Sequence, residues 1–275
     1  MSNIALGQFY PARSVMHRLD PRMKIIIGIA YIVASFLCAN VFSFALLLLS
    51  AFCLILISRI PVKVVLRSIK AIIFIMLFTA VLNVFWTKGE ADELLFGWKF
   101  INIYASGLYN AAFIVVRIVA MIIGTSIFLT YTTTPIQLTD ALERLLSPLK
   151  VIKVPVHEFA MMMTIALRFI PTIVEETGKI MSAQKARGAD FTSGSLAKRA
   201  KALVPVLIPL FISAFRRAGE LATALTCRCY RGGEGRTRMT KLTLSYRDFV
   251  ALFFMALFIA GIILLNVYAP GYSMW

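Results

Sequence analysis

The chain has 275 residues, 60% of them hydrophobic and 15% charged, with a formal net charge of +16. Apolar runs near twenty residues long exclude an ordinary soluble domain and point to an integral membrane protein. The basic residues fall mainly between those runs, so they read as the cytoplasmic bias of membrane proteins; no basic fold motif accompanies them that would suggest nucleic acid.

The first 24 residues are polar and no small-residue cleavage site follows a short apolar run, so no cleavable signal peptide is expected. Residues 25–57 form one apolar stretch. As one helix it would measure roughly 50 Å, against a hydrocarbon core of about 30 Å. Arg13, Arg18, Arg22 and Lys24 precede it, and Arg59, Lys63, Arg67 and Lys70 follow it. Both basic segments belong in the cytoplasm, which requires an even number of crossings between them. Two spans are therefore expected, 24–39 and 42–58, turning near Asn40. A third, 68–86, leads to the slightly acidic TKGEADELLFGWKF, placed outside, and a fourth, 105–130, returns. Residues 131–247 carry 18 Lys and Arg against 8 Asp and Glu and belong in the cytoplasm. A last span, 248–267, ends in a tail without basic residues. The expected divisions are thus an N-terminal transmembrane part (1–130), a cytoplasmic region (131–247), and a final helix with an outer tail (248–275). The N-terminus lies inside and the C-terminus outside.

Within 131–247, Thr134-Pro135 starts a short helix whose Leu138, Leu142, Leu145 and Leu149 share a face. Pro155 opens a longer helix, bent at Pro171 and ended by Gly188. Gly194-Ser195 starts another, distorted at Pro205 and Pro209 and stopped by Gly232-Gly233. Each long helix has an Ile-Pro step followed four to five turns later by an arginine between small residues. Their ends are too charged for ordinary spans and their middles too apolar for solvation, which suits helices lying at or beneath the membrane surface. The fold class is an all-α integral membrane protein with about five transmembrane helices and long, bent cytoplasmic helices.

Catalytic patterns are missing. GGEGRTR lacks the Lys and Ser/Thr of a phosphate-binding loop, and neither His-Glu-x-x-His nor Gly-x-Ser-x-Gly occurs. Cys38 and Cys53 lie in apolar runs as packing residues. Cys227 and Cys229 have no second cysteine pair or nearby histidine to complete a zinc site, so all four read as reduced structural thiols. No metal or cofactor is expected. Within the spans Arg117 is the main ionisable residue. It is either a packing arginine paired with Asn83 or part of a substrate path, and with no carboxylate partner for it in the spans a proton relay has little support.

The two arginines, in Ala186-Arg187-Gly188 and Cys227-Arg228-Cys229, sit where long helices end. Each alone is explained by the helix dipole or a lipid phosphate. Two similar ends, with sterically open guanidiniums, also suit insertion into two concave, carboxylate-bearing sites on a partner.

Three blocks carry a family likeness: GQFYPARSVMHRLDPRMKI near the N-terminus, QKARGADF, and CRCYRGGEGRTRM. Together they resemble the transmembrane T component of energy-coupling factor transporters, which import vitamins and trace metal ions in prokaryotes. The resemblance covers nearly the whole chain. It implies partners: two ABC-type ATPase subunits, as a heterodimer or homodimer, and a small membrane protein that captures substrate. Membrane lipid is the surrounding partner and nucleic acid is not one. Carried over, Arg187 would enter a groove on one ATPase and Arg228 a groove on the other. Ala186, Gly188, Cys227 and Cys229 would permit close approach. The second block departs from Ala-Arg-Gly in having cysteines at both flanks, which are still small. On this reading the chain is a scaffold and not an enzyme, with ATP hydrolysis on its partners. The alternative is a membrane enzyme acting on phosphate-bearing lipid. A self-contained secondary transporter would want inverted repeats, which are not seen.

Overall fold

Helix α1, Pro21–Leu37, begins where the Asp20 side chain accepts the Arg22 N–H and Pro21 takes a first-turn position that needs no donor. This computed structural model describes residues 9–12, 14–86, 94–98, 101–191, 193, 195–232 and 242–268. After α1 come α2 (Val41–Ser58), α3 (Val62–Trp86), a hairpin of β1 (Leu94–Trp98) and β2 (Ile101–Tyr104), and α4 (Ala105–Thr125), which continues as a wider π turn through Tyr131. Then follow α5 (Pro135–Leu145), α6 (Val156–Ala186), α7 (Leu196–Cys227) and α8 (Tyr246–Tyr268). The protein is helical as expected, with the antiparallel hairpin as an addition to the all-α reading.

The described residues pack as two units, one up to Ala141 together with those from Leu242 onward, the other from Leu142 to Gly232. In the first, the chain turns between α1 and α2 at residues 38–40, around the expected Asn40. Its core is Ile27, Tyr31, Phe44, Leu47, Ile123, Ile127, Phe128 and Ile262, drawn from α1, α2, α4 with its π turn, and α8. Tyr31 stacks on Phe258 with ring centroids 6.0 Å apart. It also explains Gly124: a Cβ there would lie 2.2 Å from the Tyr31 ring, so only glycine lets α4 approach α1 this closely.

Backbone groups exposed at helix ends inside a bilayer must be satisfied by protein. Asn266 on α8 donates to the Leu37 carbonyl at 2.6 Å, and Ser43 donates to the Asn266 side-chain oxygen at 2.7 Å. At the opposite end of α1 a buried polar knot replaces apolar packing. Lys24, only 2% exposed, donates to the Thr132 carbonyl at 2.7 Å. Asp248, 1% exposed, accepts the Asp20 N–H at 2.8 Å and the Ser245 N–H at 2.7 Å. Arg22 pairs with Asp20 at 2.9 Å and donates to the Leu242 carbonyl. The His-Arg-Leu-Asp-Pro-Arg-Met-Lys run thus ties α1 to α8 and to the end of α4.

Length and hydropathy qualify α2, α4 with its π turn, α6, α7 and α8 to cross a membrane, and α3 joins them if its two arms form one span. The α3 arms, Val62–Lys70 and Ile72–Phe85, meet at 57° where the basic residues stop and the apolar ones begin. At 17 residues, α1 measures about 26 Å, just short of a typical hydrocarbon core. The protein is a multi-pass membrane protein.

In the second unit α6 runs unbroken through Pro171, and α7 through Pro205 and Pro209. Gln184 and Glu176 of α6 meet Pro205 and Ser213 of α7, respectively, so the two helices run antiparallel. Pro209 has no N–H to give to the Pro205 carbonyl four residues back; the Gln184 amide reaches that carbonyl instead, at 3.5 Å. Of the leucines expected to share a face, Leu138, Leu142 and Leu145 fall within α5, and the inclusion of Leu149 is corrected, since it lies beyond the helix end in the short turn Ser147–Ile152. Its start is as read, with Thr134 and Gln137 exchanging side-chain-to-backbone hydrogen bonds in a capping box.

Candidate functional site

Helix α6 closes with Arg187 as its cap, at φ −86° and ψ 8°. The Gly188 N–H bonds the Lys185 carbonyl at 2.9 Å and the Ala189 N–H bonds that of Gln184 at 3.0 Å. This pair of bonds is a Schellman closure, which requires the residue after the cap to be left-handed; Gly188 has φ +86°. The end of α7 repeats it bond for bond. Arg228 is the cap at φ −91° and ψ 14°. The Cys229 N–H bonds Thr226 at 2.9 Å and the Tyr230 N–H bonds Leu225 at 3.0 Å. Cys229 is left-handed at φ +55°.

The two arginines therefore hold equivalent positions in one backbone motif. The expected stop at Gly232-Gly233 is corrected: the helix ends at Cys227, Gly232 lies outside it, and Gly233 lies outside the described residues. Glycine normally marks this position because a side chain there costs about 1–2 kcal/mol. A cysteine hid the stop, although the matching place of the two arginines within their triplets could have revealed it.

Ala186, Arg187, Gly188, Cys227, Arg228 and Cys229 are all exposed. Neither arginine forms an ion pair among the described residues. Because α6 and α7 are antiparallel, the two arginines lie at opposite ends of the pair. Gln184 touches Pro205, Arg187 lies three residues beyond Gln184 and Arg228 lies 23 beyond Pro205 in the opposite direction, which at about 1.5 Å per residue puts the two caps on the order of 40 Å apart along the pair. Between them the helices are joined by a polar clamp. Glu176 accepts the Ser213 hydroxyl at 2.5 Å and the Arg217 guanidinium at 2.6 Å. Beside it an apolar cleft of about 520 Å³ opens, lined by Ile165, Phe169, Ile173, Leu207, Phe211 and Leu221. The clamp was missed in the sequence because its residues lie about forty positions apart.

Arg117 belongs to the first unit. It donates to the Cys38 carbonyl at 2.8 Å and lies over the Phe44 ring, 5.2 Å from its centroid. The expected pairing with Asn83 is corrected, since Asn83 bonds the Thr79 carbonyl of its own helix. With Asn266, Arg117 satisfies the last carbonyls of α1, a backbone demand that no sequence pattern announces. Cys38 is buried and the other three cysteines are exposed; all four are free thiols. No cluster of metal-binding side chains occurs among the described residues.

Residues 12–239 match the family described as cobalt transport protein, CbiQ. An energy-coupling factor transporter transmembrane protein from Clostridium kluyveri is 53% identical over 251 residues, covering 91% of this chain and 92% of the relative. One from Ruminiclostridium cellulolyticum is 50% identical, covering 96% and 97%. Another from Bacillus subtilis is 47% identical, covering 90% and 92%. The chain therefore belongs to the family of energy-coupling factor transporter transmembrane proteins.

Proposed function

We propose that this chain is the energy-coupling scaffold of an ATP-driven importer of vitamins or trace metal ions, joining two ABC-type ATPase subunits to a small substrate-binding membrane subunit. The observation that carries the reading is the pair of equivalent arginine caps, Arg187 and Arg228, exposed at opposite ends of α6 and α7. Each guanidinium enters an acidic groove on one ATPase, where its planar fork meets a carboxylate. Ala186 and Gly188 flank the first, and Cys227 and Cys229 the second, all small enough for close approach. A Schellman-closed helix end is stiff, so movement of an ATPase is delivered to the whole helix and not absorbed at its tip.

The region 131–247 is cytoplasmic, the N-terminus inside and the C-terminus outside. Exposed Phe159, Met162, Leu207, Phe211 and Phe215 give α6 and α7 an apolar surface for the substrate-binding subunit and the bilayer boundary. ATP is hydrolysed on the partners, and this chain contributes no catalytic residue.

The test is gentle purification from the native membrane, with wild type, Arg187→Ala, Arg228→Ala and the double variant compared for ATPase retention and substrate uptake. Stranding a partner carboxylate costs about 3–5 kcal/mol where burial is deep. Each single change is expected to weaken attachment, the double change to nearly abolish uptake, and lysine to rescue poorly. Normal retention and uptake in the double variant, or ATP hydrolysis by the isolated chain, would refute the proposal.

A further inference from the structure

Three arginines that the coupling site does not use converge on one concavity in the first unit. Arg18 ends the short turn Met16–Arg18, Arg59 caps α2, and Arg247 lies in the first turn of α8. With Val15, Leu56 and Ile57 they line an open space of about 610 Å³. Its position relative to the bilayer follows from the helices that border it. Helix α2 ends at this space and α8 begins beside it, and both are membrane-crossing candidates. The concavity therefore sits at the level where hydrocarbon gives way to water. Leu56 and Ile57, 61% and 47% exposed, lie in the last turn of α2, just before Arg59.

The charge there has no internal answer. All three arginines are exposed, and none forms an ion pair among the described residues. The two nearest carboxylates in the sequence are already committed: Asp248 to two backbone amides, Asp20 to Arg22. Arg59 is moreover held left-handed at φ +54°, a conformation uncommon for a side-chain-bearing residue.

We propose that this concavity binds the headgroup of an anionic phospholipid. The guanidiniums take the phosphate oxygens as charge-assisted hydrogen bonds, and an acyl chain lies along Leu56 and Ile57. Three cations against one phosphate leave a surplus of positive charge. The site therefore favours a headgroup with net negative charge over a choline headgroup, whose own cation would be repelled. Free phosphate satisfies the guanidiniums but leaves the aliphatic wall uncovered, so the lipid is the better fit.

The test is native mass spectrometry of the purified full chain in detergent, titrated in parallel with phosphatidylglycerol, phosphatidylcholine and inorganic phosphate. The wild type is expected to retain one phosphatidylglycerol at least about tenfold more tightly than phosphatidylcholine, with phosphate a poor competitor. A basic residue near a membrane surface contributes roughly fivefold to anionic-lipid affinity, so each of Arg18→Gln, Arg59→Gln and Arg247→Gln should lose about that much. The triple glutamine variant should lose the preference. A control with the same charge change elsewhere, Lys198→Gln, Arg199→Gln and Lys201→Gln together, should keep it. Should the triple glutamine chain fail to elute as a single species, the single variants decide, with the triple lysine variant expected to keep a phosphatidylglycerol preference. No headgroup preference in the wild type, equal loss in the control, or unchanged binding in the glutamine variants would overturn the proposal. Displacement of the lipid by equimolar phosphate would also overturn it, assigning the concavity to a free anion.

Discussion

Among the described residues Glu176 of α6 accepts from both Ser213 and Arg217 of α7, so removing it tests whether that contact holds the pair together. Ser213 and Arg217 are four residues apart on one face of α7, which lets a single carboxylate take both donors. The Glu176 side chain is 23% exposed and that of Arg217 is 30%, so the ion pair is partly screened and contributes about 1 kcal/mol. The hydroxyl bond from the nearly buried Ser213 to a charged acceptor adds about 1–1.5 kcal/mol. Glu176→Ala is therefore expected to lower the local opening free energy of the pair by roughly 2 kcal/mol, about a thirtyfold loss of amide protection. Glu176→Gln keeps the hydroxyl partner and should lose about half as much. Hydrogen exchange read by mass spectrometry, on peptides covering 170–186 and 205–220, measures both. A cycle with Arg217→Met should return a coupling near 1 kcal/mol. Unchanged exchange in Glu176→Ala, or a coupling indistinguishable from zero, would show that apolar packing alone joins the helices.

Two further expectations follow from the caps and from charge. A Cβ added at Gly188 meets nothing within 4 Å, so Gly188→Ala should destabilise the α6 end by about 1 kcal/mol through backbone conformation alone, and Cys229→Gly should stabilise the α7 end by roughly 0.5–1 kcal/mol; exchange at the Ala189 and Tyr230 amides should move in opposite directions. In a cysteine-free background, cysteines at Glu90 and Ser273 (positions outside the described residues) should react with an impermeant reagent applied from outside, and one at Ser193 should not; labelling of Ser193 from outside would refute the topology.

Local chemistry made much of the fold legible. Asp20-Pro21, Thr134-Pro135 and Ser195 each cap a helix through neighbours within three residues, and such signals survive in the linear sequence. The first arginine cap was legible for the same reason, because Gly188 follows it directly. The second was legible as a repeat near a helix end, but its stop was placed at Gly232-Gly233, because Cys229 takes a conformation usually reserved for glycine. Arg117 shows the other limit. Its acceptor is the Cys38 carbonyl, 79 residues away, and a backbone oxygen carries no side-chain signature.

Helices α6 and α7 show where composition alone stops discriminating. They are long and apolar enough to qualify as spans, yet clearly less apolar than α2, α4 with its π turn, and α8. The distribution of charge separates them. Glu176 and Arg217 sit within the helices, bonded across the α6–α7 contact and still partly exposed. At a bilayer centre each would cost about 2.5–3.5 kcal/mol on insertion scales, a penalty that a pair this accessible would not remove. At the membrane boundary the same pair costs little and fixes how the two helices meet. That difference, more than total hydropathy, favours reading α6 and α7 as coupling helices beside the bilayer and not as two further crossings.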